Sequence, residues 1–276
     1  MHPALITILV IIGVLAVLFG LYLFLIMTKR NKSIDKYKSV KFAHRGLHSS
    51  DIPENSMGAF SAAIDRGFGI ELDVRLSRDG ELVVFHDDTL LRVCSDGRRV
   101  RDVDLEELKT IALLGTEETV PSFAEVLELV GGRVPLLVEI KEDQGDSEVS
   151  RLACKMLAEY KGDYIVESFN PFSLKVVREL LPDVPRGILS MRFEKEERFA
   201  LKVRNFLLGK MLTNVICRPS FIAYHNEDGG ALGVRLLGGV FGAARFAWTV
   251  KSEKEESEAY ERGFDSVIFE GYIPEK

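Results

Sequence analysis

The sequence predicts an α/β barrel of eight parallel strands behind a single membrane-spanning helix, and three observations carry that prediction. From residue 40 onward, short β-branched runs alternate with amphipathic stretches, the pattern of repeated βα units. The 238 residues from Ser39 to Lys276 suit one barrel of about 250 residues better than two small domains. Polar residues fall repeatedly at the C-terminal ends of the candidate strands, where barrels build their sites. With 46% hydrophobic and 28% charged residues, disordered and fibrous classes are excluded.

The first element is apolar. Pro3 to Thr28 contains no charged residue, and at ~1.5 Å per helical residue it exceeds the ~30 Å hydrocarbon core of a bilayer. A cleaved signal would want a basic start, a shorter apolar core and an Ala-x-Ala site; here the run ends at Met27-Thr28-Lys29. Residues 1–28 therefore read as a retained transmembrane anchor. Lys29, Arg30, Lys32, Lys36, Lys38 and Lys41 follow it against one Asp35, so the positive-inside rule puts the barrel in the cytoplasm of a single-pass cell-membrane protein. Residues 29–39 read as a basic juxtamembrane linker beside anionic lipid, and the bilayer is the partner expected there. The net charge is −6, so the remainder is acidic, which speaks against nucleic acid; no obligate protein partner is evident. Cys94, Cys154 and Cys217 are odd in number and far apart, the pattern of reduced thiols.

Nine strand candidates follow: Val40–Ala43, Ile70–Val74, Leu82–Phe85, Pro135–Ile140, Tyr164–Glu167, Arg186–Leu189, a weak one within Val215–Ala223, Arg245–Val250 and Ser266–Phe269. The excess over eight resolves at Asp79-Gly80, a hairpin signal that makes Leu82–Phe85 an antiparallel return outside the parallel count. Helices are expected near Ser56–Arg66, Ser122–Val130, Ser147–Tyr160, Pro171–Leu181, Glu194–Leu207 and Glu253–Arg262. The helix before the seventh barrel strand is poorly marked, because Gly229 to Gly242 is glycine-rich. Residues 77–132 are too long for one connection and read as an insertion after the second barrel strand, within a barrel domain of residues 40–276.

Glu71 and Asp73, two apart on one strand, point to the same face, while Ile70, Leu72 and Val74 take the other. Paired carboxylates inside a barrel repel and lose hydration, so they call for a cation or an ion pair with Arg45 or Lys141. Glu139 and Lys141 repeat the spacing on the next barrel strand. Three carboxylates from neighbouring strands suit a hard divalent cation, Mg²⁺ or Ca²⁺, rather than zinc. His44 and His86 each follow an apolar strand and would face one another across the pocket mouth, a pair able to donate and accept protons near neutral pH. His2, His48 and His225 read as structural. Arg45 offers a phosphate-sized fork and Lys141 a point charge. By residue type and spacing, the set supports metal-assisted hydrolysis of a phosphate ester.

Read in order, Ala43-His44-Arg45-Gly46, Pro53-Glu54-Asn55-Ser56, Ala59-Phe60, Gly67, Glu71-Leu72-Asp73-Val74, Asp79-Gly80 and Val83-Val84-Phe85-His86-Asp87 resemble the glycerophosphodiester phosphodiesterase family. Pro121, Glu139-Ile140-Lys141, Glu167-Ser168-Phe169 and Trp248-Thr249-Val250 continue the series over nearly the whole chain after the anchor. The resemblance implies a TIM barrel, with a divalent cation held by Glu71, Asp73 and Glu139. It further implies acid–base roles for His44 and His86, phosphate contacts from Arg45 and Lys141, and Trp248 packed on the substrate glycerol. Substrates would be glycerophosphodiesters, deacylated phospholipids or lysophospholipids, releasing glycerol 3-phosphate or lysophosphatidic acid and an alcohol. A cyclic phosphate formed by the glycerol 2-hydroxyl is also implied, and the residues leave that open.

Two departures stand out. The final strand ends Ile268-Phe269-Glu270-Gly271 where many relatives have Thr-Asp, which makes Glu270 a rim residue without an assigned role. Lys251 stands where Asn usually follows Thr249-Val250. Asn55 or Ser56 should cap the first barrel helix, and Glu54 should brace His44 or Arg45. The competing readings are a phospholipase D or phosphoinositide phospholipase C type of activity on the same barrel, and a catalytically inactive membrane-bound binding module.

Overall fold

A computed structural model of the chain describes residues 3–142, 147–193 and 197–275. His2 and the start of the helix expected at Glu194–Leu207 lie outside the described residues.

The strands are β1 (Lys41–Ala43), β2 (Gly69–Leu76), β3 (Leu82–Val84), β4 (Leu136–Ile140), β5 (Tyr164–Ser168), β6 (Arg186–Ser190), β7 (Phe221–His225), β8 (Ala244–Val250) and β9 (Ser266–Phe269). Eight of them pair in parallel, β1-β2-β4-β5-β6-β7-β8-β9 and back to β1, and so close a barrel. β3 is the antiparallel return expected, pairing Val74 with Val84 and Leu76 with Leu82. Helices cover the outside, so the strands are buried on both faces, which is why they read as near-continuous apolar runs.

The helices are α1 (Pro3–Ile26), α2 (Met57–Arg66), α3 (Leu91–Cys94), α4 (Leu105–Leu108), α5 (Phe123–Val130), α6 (Glu148–Glu159), α7 (Pro171–Leu180), α8 (Phe199–Gly209), α9 (Asn214–Cys217), α10 (Leu232–Phe241) and α11 (Glu253–Glu261). Ser56 caps α2 through Ala59 N, and Ser122 with Glu125 forms a capping box on α5. From Ser77 to Val120 the chain builds a side unit with its own core of Val83, Phe85, Leu90, Val93, Val100 and Leu108. The last part of the stretch read as insertion is α5, the crossover helix between β2 and β4.

Two expectations need correction. The weak strand placed within Val215–Ala223 starts later: Asn214–Cys217 form the short helix α9, and β7 runs from Phe221 to His225. The segment read as a linker is part of the barrel. Lys32–Tyr37 form a turn of 3₁₀ helix capped by Asn31, and Ile34 and Tyr37 are buried with Phe42, Leu137, Ile165, Phe221 and Phe246 in the lower barrel interior. Tyr37 Oη donates to Tyr164 O (3.0 Å), just where β5 begins. Three of the lysines pair with carboxylates of the chain: Lys36 with Asp163 (2.5 Å), Lys38 with Asp35 (2.7 Å) and Lys41 with Glu256 (2.6 Å). They belong to the barrel floor.

The last turns of α1 pack on the same wall. Ile26 is fully buried, its carbonyl accepts from Asn214 Nδ2 (2.9 Å), and Lys29 N donates to Pro219 O (2.9 Å). Arg218 lies over the Phe24 ring at 5.0 Å. From Pro3 to Leu21 every residue is exposed.

Candidate active site

Strand register decides which side chains share the upper interior. Asp73 pairs with Glu139, and Glu139 with Glu167, so three carboxylates stand level on β2, β4 and β5. Glu71 lies two residues below Asp73 on the same face. Glu71, Asp73 and Glu139 each bring an oxygen within 4.8 Å of the others, and all three are buried. The predicted trio therefore converges, and Glu167, which spacing alone did not single out, joins its edge.

Cations and amides balance part of this charge. Lys141 Nζ reaches Glu139 Oε2 (2.8 Å) and Asp73 Oδ1 (3.2 Å). Arg45 N donates to Glu71 Oε2 (2.8 Å), and Arg45 Nε lies 3.6 Å from Asp73 Oδ2. Asn55 does not cap α2; its Nδ2 donates to Asp73 Oδ2 (2.8 Å). Burial by itself would raise the pKa of Asp73, but Lys141, His86, Arg45 and Asn55 outweigh it and hold this carboxyl ionised. Burial and the neighbouring carboxylates push Glu71 and Glu167 well up, and burial pushes Glu139 up to about 7 against the pull of Lys141.

Two histidines flank the carboxylates, each held through Nδ1. His44 Nδ1 meets Glu270 Oε2 at 2.5 Å. His86 Nδ1 meets Asp87 Oδ1 at 2.6 Å, and Arg92 fixes Asp87 through Oδ2 (2.6 Å). Burial depresses both imidazoles; Glu270 opposes that at His44, and Asp73 opposes it at His86. Glu54 braces Arg45 (2.8 Å), not His44, and is clasped by both Arg92 nitrogens, Nη1 and Nη2 (2.8 and 2.7 Å). Trp248 stands edge-on to Phe169 (5.5 Å) and His225 (5.2 Å), and its indole N–H makes no hydrogen bond. The two departures touch each other: Lys251 Nζ lies 3.1 Å from Glu270 Oε1. His48, read as structural, has Nε2 3.9 Å from Glu270 Oε2 and so lines the same wall.

Residues 44–271 match the model of the glycerophosphoryl diester phosphodiesterase family. The chain belongs to this family. A glycerophosphodiester phosphodiesterase of Caldanaerobacter subterraneus subsp. tengcongensis is 31% identical over 244 residues, covering 84% of this chain and 93% of that protein. Among solved structures, an Oleispira antarctica phosphodiesterase in complex with the product sn-glycerol-3-phosphate superposes with a TM-score of 0.70 at 25% identity, covering 85% of this chain and 94% of that one. The glycerophosphodiester phosphodiesterase of Thermotoga maritima gives 0.64 at 28% identity, with 84% and 94% covered. The chain is thus an enzyme, a phosphoric diester hydrolase on a TIM barrel.

The phosphodiesterase's acidic cluster fits a divalent cation on its own chemistry. Its donors are all carboxylate oxygens, the choice of Mg²⁺ and Ca²⁺, and at its edge one buried oxygen is left over, Glu167 Oε2, which makes no hydrogen bond. Even with Arg45 and Lys141 beside them, Glu71 and Glu139 have their pKa pushed up, the state a divalent cation would reverse. Sequence reasoning missed Glu167, Asn55 as the partner of Asp73, and the Asp87–Arg92–Glu54 chain. The Glu167-Ser168 pair at a strand end was the signal for the first; the others depend on loops whose paths the sequence does not state.

Proposed function

We propose that the enzyme hydrolyses glycerophosphodiesters to glycerol 3-phosphate and an alcohol, using His44 and His86 as its acid–base pair and a divalent cation held by Glu71, Asp73 and Glu139. The observation that carries this reading is the buried convergence of those three carboxylates between two histidines that are each anchored through Nδ1.

A bound cation would neutralise phosphate charge and favour attack at phosphorus. The chain's own residues do the rest. An acceptor carboxylate at Nδ1 keeps the proton there and leaves Nε2 of each neutral imidazole to exchange a proton with the reactants, one histidine taking it from the attacking nucleophile and the other delivering it to the leaving alkoxide; the nucleophile is water, or the glycerol 2-hydroxyl with water then opening the cyclic phosphate. Arg45 and Lys141 bring positive charge toward the phosphate oxygens, and Trp248 with Phe169 offers an aromatic wall for the glycerol carbons. Glu54 sets Arg45, and Glu270 sets His44. Phospholipase D and phosphoinositide phospholipase C types of activity, and an inactive barrel, gain nothing from the family match.

The long, exposed apolar helix α1 is compatible with a membrane-anchored enzyme with residues 1–28 as anchor, and the excess of Lys and Arg after it is the ground for proposing that the catalytic domain faces the cytoplasm. Substrate drawn from the membrane, as lysophospholipid, accords with such an anchor.

Chelator is the deciding experiment. Turnover of glycerophosphocholine should vanish in excess chelator and return with Mg²⁺ or Ca²⁺, and Glu139→Gln should raise the cation concentration for half-activity by roughly 10-fold or more. Full activity in chelator would refute the cation role.

A further inference from the structure

Barrel strands run from floor to catalytic face and the helices return, so the first turn of a barrel helix stands at the catalytic rim. Several of the barrel's exposed apolar side chains gather at that rim, although Leu180 and Val240, at the floor ends of α7 and α10, are exposed as well. Phe172 (61% exposed) is the second residue of α7 and Leu232 (65%) the first of α10. Phe199 (80%), Val203, Phe206 and Leu207 belong to α8. The end of α8 is tied to the rim: Leu208 O accepts from Ser190 Oγ (2.9 Å), the last residue of β6, and Gly209 O accepts from Tyr224 Oη (3.4 Å), near the end of β7.

α8 is unusual in having no buried residue at all along its 11 residues. Its exposed large apolar residues, Phe199, Val203, Phe206 and Leu207, nevertheless fall at i, i+4, i+7 and i+8, one face of a helix. Lys202, Arg204 and Lys210 accompany them along the helix, which carries no acidic residue itself, although Glu194, Glu196 and Glu197 precede it in the sequence. An apolar face with basic flanks and no protein partner among the described residues is the composition of a helix lying in the headgroup layer of an anionic membrane.

The course of α1 points the same way. Lys29 binds Pro219 O at the barrel floor, before β7 begins. Seven residues earlier, Tyr22 has climbed to Gly233, at the rim end of α10: a Cβ on Gly233 would meet Tyr22 Oη at 3.2 Å and Met211 Cε at 2.6 Å. Continued upward, α1 leaves the protein on the catalytic side. Its exposed part, Pro3 to Leu21, spans ~28 Å, about one hydrocarbon core.

We propose that α8, together with Phe172 and Leu232, docks into the surface of an anionic lipid bilayer, the same one α1 crosses, so that the catalytic mouth opens onto the lipid headgroups. The proposal rests on the reading of α1 as a membrane span, and goes beyond it by fixing which face of the barrel meets lipid and through which helix. The lysines of the floor then lie on the far side, consistent with their pairing to protein carboxylates.

The test uses the full chain in vesicles of phosphatidylglycerol and phosphatidylcholine with brominated acyl chains, which quench tryptophan on contact. Three single variants, Ile12→Trp, Phe206→Trp and Tyr260→Trp, are read against the constant signal of Trp248. Fluorescence added by Ile12→Trp and Phe206→Trp should fall at least twofold on bromination, and that added by Tyr260→Trp, near the floor end of α11, should not change. Quenching at Ile12 without quenching at Phe206 would overturn the docking and leave the anchor standing; so would a blue-shifted, unquenched Phe206→Trp, the signature of a second copy covering α8. Quenching at Phe206 without Ile12 would overturn the proposal as stated, because α1 would not cross the bilayer that α8 meets. Quenching of neither would overturn both.

Discussion

At the scale of single residues, Glu270 changes most between sequence and structure. By position it was a rim residue in a strand that departs from its relatives, and Lys251 was a second, separate departure. In space they form one unit: Lys251 pairs with Glu270, and Glu270 holds His44. The contact joins residues 226 apart in the chain, made only when the barrel closes, so no local pattern could display it. By contrast, Glu71, Asp73, Glu139, His44 and His86 were legible because strand alternation and strand ends state where side chains point. Burial depresses the His44 imidazole, and the Glu270 carboxylate partly offsets this by favouring the charged ring. Replacing Glu270 by Gln removes that offset, so the pH at which His44 takes a proton should fall. The acid limb of the kcat/KM profile is therefore expected to move to lower pH, while kcat drops roughly 10-fold or more as the ring loses its fixed tautomer. An unchanged limb with unchanged kcat would show that Glu270 does not act through His44.

Elements were legible where one pattern dominated and lost where two competed. Leu136–Ile140 and Tyr164–Ser168 are apolar runs bounded by breakers, and both are strands. Val215-Ile216-Cys217 is equally apolar, yet it turns into α9, because Arg186 anchors the carbonyls of Cys217 and Arg218 (2.8 and 2.9 Å) ahead of a strand that starts at Phe221. The 3₁₀ segment Lys32–Tyr37 escaped notice for the opposite reason: two apolar residues among polar ones make no period. Their weight is nonetheless large. Tyr37 is 2% exposed and packs with the lower interior, so Tyr37→Ala should cost ~3–5 kcal/mol by analogy with other large aromatic truncations. Tyr37→Phe loses only the bond to Tyr164 O and should cost ~0.5–1.5 kcal/mol. Denaturant unfolding of the two variants in one detergent would check the ratio, and equal small losses would mean that the floor contributes little.

For the whole molecule, the boundary between anchor and domain is not where charge and hydropathy place it. The apolar run looks like a tether joined through a polar spacer to a barrel beginning near residue 40. In the structure the barrel's packing begins earlier, at Tyr22 and Ile26 on the α9–α10 wall, and continues through Thr28, Ile34 and Tyr37. Fully burying a large apolar side chain stabilises by ~1.5–3 kcal/mol, so Ile34 and Tyr37 together supply ~3–6 kcal/mol, a large part of the ~5–15 kcal/mol that a folded domain has in total. A fragment starting at Ser39 should therefore melt on the order of 10 °C below one starting at Thr28, given ~2–4 °C per kcal/mol for a domain of this size. The Thr28 fragment should in turn melt below the full chain in detergent, because it lacks the docked turns of α1. The expected order is full chain, then Thr28, then Ser39, read by thermal unfolding at one detergent concentration. Equal melting of the two fragments would return residues 29–39 to the status of a spacer, with the closed floor then a feature of packing that carries no stability.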